Sequence, residues 1–156
     1  MSLFSLYASI LDAPLLRFNY ALPTAVSKGA MKGISQFGPY DRGIFPKNEV
    51  NSAIIYPSVF EKEVERFIQS FINGLGIYSG FEKWFRVNLG KFDRYTVELA
   101  TLEAYNEILK EVVTKNYDIV FVIVEEETRT PQLYSLIKTI LLGNGIPCQV
   151  IRSATI

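Results

Sequence analysis

The chain has 156 residues, 16 Lys+Arg balanced by 16 Asp+Glu, no histidine, one cysteine and 49% hydrophobic residues, enough for one domain with a sizeable core. Lacking histidine, it has no Ser-His-Asp or Cys-His catalysis and no histidine metal site, and the lone Cys148 excludes disulfides and cysteine-rich zinc sites and fits a reducing cytosol. A net charge of zero excludes coating of nucleic acid by bulk electrostatics, so any such contact has to be made locally by a few placed groups.

In chain order, Met1–Leu11 is apolar but has no Lys or Arg before it and meets Asp12 early. It is too short to span a bilayer and lacks the basic start of a signal peptide, so it reads as an amphipathic segment packing on the body or on a partner. Residues 1–50 form an irregular arm, because Pro14, Pro23, Gly29, Gly33, Gly38, Pro39, Gly43 and Pro46 interrupt every long element. Within it, residues 15–20 suit one strand, and Gly38-Pro39-Tyr40-Asp41 is a turn.

Regularity begins near Asn51. Ser52–Tyr56 is a short apolar run, as a buried strand requires. Val64, Phe67, Ile68, Phe71 and Leu75 recur at helical spacing, with Glu61 and Glu63 at the positive end of the helix and Gly74 and Gly76 as its stop. Residues 83–89 suit a second strand. Residues 101–114 suit a helix with Leu102, Tyr105, Leu109 and Val112 on one face. Residues 118–124 are apolar without alternation, the mark of a central parallel strand. Thr130-Pro131 caps a helix over 131–142, Gly143-Asn144-Gly145 ends it, and residues 149–152 form a last strand. Strands alternating with helices imply an α/β fold: a Rossmann-like parallel sheet with flanking helices over 51–156, preceded by the irregular arm.

In such sheets ligands bind beyond the carboxyl ends of the strands, near helix amino termini. The loop 125–130 lies at that place. One turn into the following helix, Tyr134 and Lys138 stand at i and i+4 on one face, suited to a base on the ring and a phosphate on the ammonium. The helix climbs ~7.5 Å from Lys138 to Gly143. The return to Gln149 covers ~13 Å in extended form, so the Gln149 amide comes back level with Lys138 and is able to donate to the same phosphate. The same spacing also suits a half-exposed packed tyrosine, a solvated lysine and a glutamine facing solvent from a strand.

Two stretches resemble one family. Thr130-Pro-Gln-Leu-Tyr-Ser-Leu-Ile-Lys138, followed by Gly145-Ile-Pro-Cys-Gln149-Val-Ile-Arg152, resembles the MID domain of Argonaute/PIWI proteins, with its tyrosine, a lysine four residues later and a glutamine after a Gly-Ile-Pro turn. Gly33–Tyr40 is similar to the stretch ending in Gly-Pro-Tyr near the start of short prokaryotic Argonautes, which lack the N and PAZ domains. The resemblance covers roughly residues 14–156.

It implies a module that anchors the 5′-phosphorylated end of a guide RNA or DNA. Tyr134 would stack on the first base, Lys138 and Gln149 would hold the phosphate, and Arg129 and Thr130 would meet the base edge. Cys148, through its backbone, and Arg152 would approach the first phosphates, while Glu125, Glu126 and Glu127 would turn outward. It further implies a divalent cation such as Mg2+, shared between Gln149, phosphate oxygens and the carboxyl terminus of a PIWI domain. That domain and a further helix lysine are expected after Ile156, so the chain reads as a non-cleaving fragment or split subunit. An effector protein in prokaryotic defence is the implied partner, in the cytoplasm and without a membrane span.

Two other classes remain open. A small nucleotide-binding α/β enzyme would need a glycine-rich loop after a strand, yet the first strand leads into Tyr56-Pro57-Ser58-Val59-Phe60. An interaction domain would dock a partner through Leu3, Phe4, Tyr7, Ile10 and Leu11.

Overall fold

The six-residue run Ile119–Val124 (β5) carries no polar side chain, and the fold places it inside a four-stranded parallel sheet. A computed structural model describes residues 12–41, 47–127 and 129–156. The surface proposed at Leu3, Phe4, Tyr7, Ile10 and Leu11 lies outside the described residues. Ahead of the sheet come two short strands, Leu16–Arg17 (β1) and Val26–Ser27 (β2), and a helix, Ala30–Phe37 (α1). The sheet itself comprises Glu49–Pro57 (β3), Asn88–Val97 (β4), β5 and Cys148–Arg152 (β6), in the spatial order β4-β3-β5-β6. All three pairings are parallel. The central pair is the most apolar part of the molecule, because strands covered on both faces have no solvent side to give to polar residues.

Helices cover both faces. Leu102–Val112 (α4) and Pro131–Gly143 (α5) bury Tyr105, Leu109, Val112, Leu133, Ile137 and Leu141 against Ala53, Ile55, Val120, Val122 and Val124. Glu61–Asn73 (α2) buries Val64 and Ile68 on the other face, against Ile54, Tyr56, Phe121 and Ile123. There the rings of Phe67, Phe71, Phe92 and Phe121 interlock, with Phe71 and Phe121 centroids 5.3 Å apart and edge to face. No helix among the described residues is long and apolar enough to cross a membrane.

Three local expectations are corrected. Residues 83–89 are not one strand: Phe81–Phe85 (α3) is a helical turn, and the strand starts at Asn88. Gly74 and Gly80, both at positive φ, bring the chain back on itself so closely that a Cβ at Gly74 would lie 2.3 Å from the Tyr78 carbonyl. From that turn Phe81 and Trp84, three residues apart, both point into the protein, which only a helix permits. Leu75 does not continue the buried face of α2, since Gly74 has ended the helix and Leu75 is 74% exposed. The arm also holds a helix, α1, in which Gly33 lies directly against the ring of Phe18; an added Cβ would come within 2.0 Å of it.

Buried phenols tie these layers together. Tyr105 of α4 donates to the Ile123 carbonyl of β5 at 2.7 Å, and Tyr56 of β3 donates to Glu61 at the start of α2. Burial and the Glu61 carboxylate push the Tyr56 phenol up to about 12, and burial does the same to Tyr78.

Tyr105→Phe removes one buried hydrogen bond without removing volume, and is expected to lower the unfolding free energy by about 1 kcal/mol in urea titrations. Alkaline lability is expected as well. Tyr56 and Tyr78 keep their protons in the folded state after an unfolded phenol, at 10.0, has lost its own. Their contribution is therefore complete below about pH 10 and is lost as the pH rises toward about 12, and Tyr56→Phe flattens that fall in stability–pH curves.

Candidate functional site

The loop 125–130 leaves β5 at its carboxyl end and opens α5. Thr130 caps that helix: its Oγ1 accepts a hydrogen bond from the Leu133 N–H at 3.1 Å, and Pro131 follows at the first helical position. Leu133, Ile137 and Leu141, spaced by four, are buried on the sheet and fix the rotation of α5 about its axis. Tyr134 and Lys138 lie one residue further on, about 100° around the helix, and so flank the edge strand β6.

Lys138 is half-buried, and its Nζ donates to the Cys148 carbonyl at 2.7 Å. That carbonyl is available for a simple reason. In a parallel ladder successive carbonyls of one strand point to opposite sides, and Pro147 uses its own to accept from Val120 of β5. Cys148 therefore points outward from the sheet edge. The same ammonium lies 5.7 Å from the centroid of the Tyr134 ring, close enough for a cation–π attraction. Tyr134 keeps 44% of its surface exposed, which leaves a ring face for a ligand.

Gln149 does come back level with Lys138, since its neighbour Cys148 receives the lysine. Its side chain leaves the opposite face of the sheet, however. Gln149 is in register with Phe121, whose ring packs with α2, whereas Cys148 and Val150 pack with the α4–α5 layer. Its amide donates to the Val150 carbonyl at 3.0 Å. Chain length fixes the height of Gln149 along the strand, whereas the register with β5 decides its face.

These residues border one depression of about 340 Å³ that wraps the β6 edge, lined by Arg129, Tyr134, Gln149, Arg152, Phe67, Ile151, Thr155 and Ile156 among others. Lys138 stands beside it through its contact with Tyr134, and Thr130 acts as the cap of α5, not as part of the wall. Phe67, Ile151, Thr155 and Ile156 were not among the residues anticipated. Phe67 carried only a core-helix signal, and the turn Ser153–Thr155 has no distinguishing pattern in sequence. Glu126 and Glu127 are exposed, as expected of glutamates turned outward, and Oε1 of Glu126 lies 3.4 Å from Nη1 of Arg152. Glu125 is half-buried; burial raises the Tyr105 phenol above its ordinary range, and the Glu125 charge adds to that.

A larger depression, about 960 Å³, lies at the amino ends of β3 and β4 beside Asn48 and Asn88. It is bordered by Asp41 and Lys47, on either side of residues outside the description, and it lies away from the carboxyl strand ends where open parallel sheets take ligands. Among the described residues, no group of three or more His, Cys, Asp or Glu is placed to hold a metal ion. Gln149 offers one neutral oxygen, which alone does not fit a Mg2+ site.

No family model matches the chain. The protein argonaute of Cereibacter sphaeroides is 31% identical to it over 144 residues, a match covering 81% of this chain. The chain is an Argonaute homologue. It spans 18% of the length of that relative. A crystal structure of Aa-Ago with externally bound siRNA is similar with a TM-score of 0.52 and 28% identity, covering 70% of this chain and 16% of that one. The Argonaute of Clostridium butyricum, solved with a guide DNA and a 19-mer target DNA, reaches a TM-score of 0.60 at 18% identity over 94% of this chain and 20% of its own. Drosophila Piwi follows with 0.54 at 14% identity, over 69% of this chain and 14% of that one. The last two likenesses concern the fold: a parallel sheet flanked by helices, as the alternation of elements in the sequence required.

Because the Thr130 cap holds the first turn of α5, Thr130→Ala is expected to cost about 1 kcal/mol in chemical denaturation. The loss should be accompanied by faster amide exchange at Leu133 than at Ile137.

Proposed function

We propose that this chain is the MID-like part of an Argonaute and holds the 5′-phosphorylated end of a guide strand. The observation that carries this reading is the pairing of Tyr134 and Lys138 on the flank of α5, with Lys138 docked on the β6 edge next to Gln149. An exposed ring one helical turn from an ammonium offers a stacking face for a terminal base and a cation for its phosphate. Lys138 retains two further N–H donors besides the one given to Cys148, so a phosphate is able to join that carbonyl without displacing it. Gln149 supplies a neutral donor from the other face of the strand, and Arg129 and Arg152 border the same depression. Support also comes from the similar proteins, one solved with siRNA and one with guide and target DNA.

The site has groups for binding and orienting, and the reading is of a non-catalytic module. It divides the chain into the arm over 1–50 and a MID-like unit over 51–156. A PIWI domain and an effector protein in prokaryotic defence are the partners that belong to it. No step of binding is assigned to a metal ion.

The test is fluorescence anisotropy with short single strands, DNA and RNA in parallel, that differ only in a 5′-phosphate or a 5′-hydroxyl. The phosphorylated strand is expected to bind more tightly, and Lys138→Ala to remove the difference. Tyr134→Ala should weaken both strands roughly tenfold, within the ~1–3 kcal/mol of base–aromatic stacking. Equal binding of the two strands by the unchanged protein refutes the reading.

A further inference from the structure

Arg152, the last residue of β6, has an anionic partner within the chain. Its Nη1 is 3.4 Å from Oε1 of Glu126, with both side chains about half exposed, at 54% and 49%. Glu126 belongs to the loop that leads from β5 into α5, so this ion pair ties the loop to the neighbouring strand. Arg152 borders the depression beside Tyr134 and Gln149, and the Glu126 carboxylate marks where its guanidinium meets an anionic oxygen.

We propose that Glu126 is an intramolecular competitor for the Arg152 subsite, displaced when a guide phosphate takes its place, so that filling the subsite also releases the loop from β6. The inference rests on the 5′-end reading above and adds a regulating residue to that site. The contrast with Lys138 is informative. The lysine is held by a neutral carbonyl and accepts a phosphate in addition, while the guanidinium is held by a charge and has to exchange it. Such an exchange lowers affinity by the strength of the pair and returns a carboxylate to solvent. Binding then releases fewer counterions than the number of cations in the site suggests.

Glu126→Gln is therefore expected to tighten binding of a 5′-phosphorylated single-stranded DNA by about two- to fivefold, the range for an exposed ion pair. It should also steepen the dependence of log affinity on log salt by about 0.7, the value for one additional phosphate contact on a single strand. In an Arg152→Gln background the same change should give no gain. A gain of equal size in that background, or an unaltered salt slope with Arg152 present, shows that Glu126 acts by general repulsion and overturns this inference alone. Equal affinity of the unchanged protein for 5′-phosphorylated and 5′-hydroxyl strands overturns the 5′-end reading, and this inference with it. Both residues are exposed, so neither substitution threatens the core.

Discussion

Burial of a single stripe of α5 on the sheet determines what the site contains. Leu133, Ile137 and Leu141 leave that helix one orientation, and with it Tyr134 and Lys138 have one place to go, the flank of β6. Rotating the helix by one residue would put the lysine into the apolar layer formed by Ala53, Val120 and Val122, where an unpaired ammonium is not tolerated. The site is thus a by-product of core packing. The Thr130 cap and Pro131 set where the helix starts, and the four-residue period sets which side chains emerge at the sheet edge.

Charge follows the same economy. The chain is neutral overall, yet Arg129 and Arg152 border one depression along β6, and Lys138 docks at the start of the same strand. Two of these cations are restrained by different kinds of group: Lys138 by an edge-strand carbonyl and a ring face, Arg152 by Glu126. A lysine on a neutral acceptor keeps its full charge for a ligand, whereas an arginine on a carboxylate presents a net charge near zero until the pair opens. Elsewhere the ion pairs serve the fold. Arg94 of the edge strand β4 reaches Glu61 and Glu65 of α2, and Glu65 is held below the usual carboxylate range by hydrogen bonds from Gln69 and Arg94.

The elements that could be read from the sequence share one property: their environment is uniform along their length. The run 119–124 is apolar at every position because β5 is covered on both faces, and α2, α4 and α5 each show a buried stripe at helical period. The misread stretch, 83–89, lies where this uniformity fails. Lys-Trp-Phe-Arg-Val-Asn-Leu has the composition of a strand, but its aromatics are held in a helical turn by the backbone path through Gly74 and Gly80. The actual strand, β4, is rich in Lys, Asp and Arg because it is an edge strand with only β3 beside it, and its pattern has no apolar run to announce it. The candidate site was legible to a similar degree. Tyr134 and Lys138 were visible as a local i, i+4 pair, whereas Phe67 joins the depression from α2, far from α5 in sequence.

By itself, the sequence determined the class of fold, the start and stop of α5 and the side of that helix on which Tyr134 and Lys138 stand together. These are consequences of local period, capping chemistry and composition, which act over a few residues. Only the tertiary structure decided that Lys138 spends one donor on the Cys148 carbonyl, that Gln149 leaves β6 on the face opposite the lysine, and that Glu126 already holds Arg152. The physical reason is the parallel sheet. Its register assigns each side chain of β6 to a face and each carbonyl to an edge, and that register is set by β5, some thirty residues earlier in the chain.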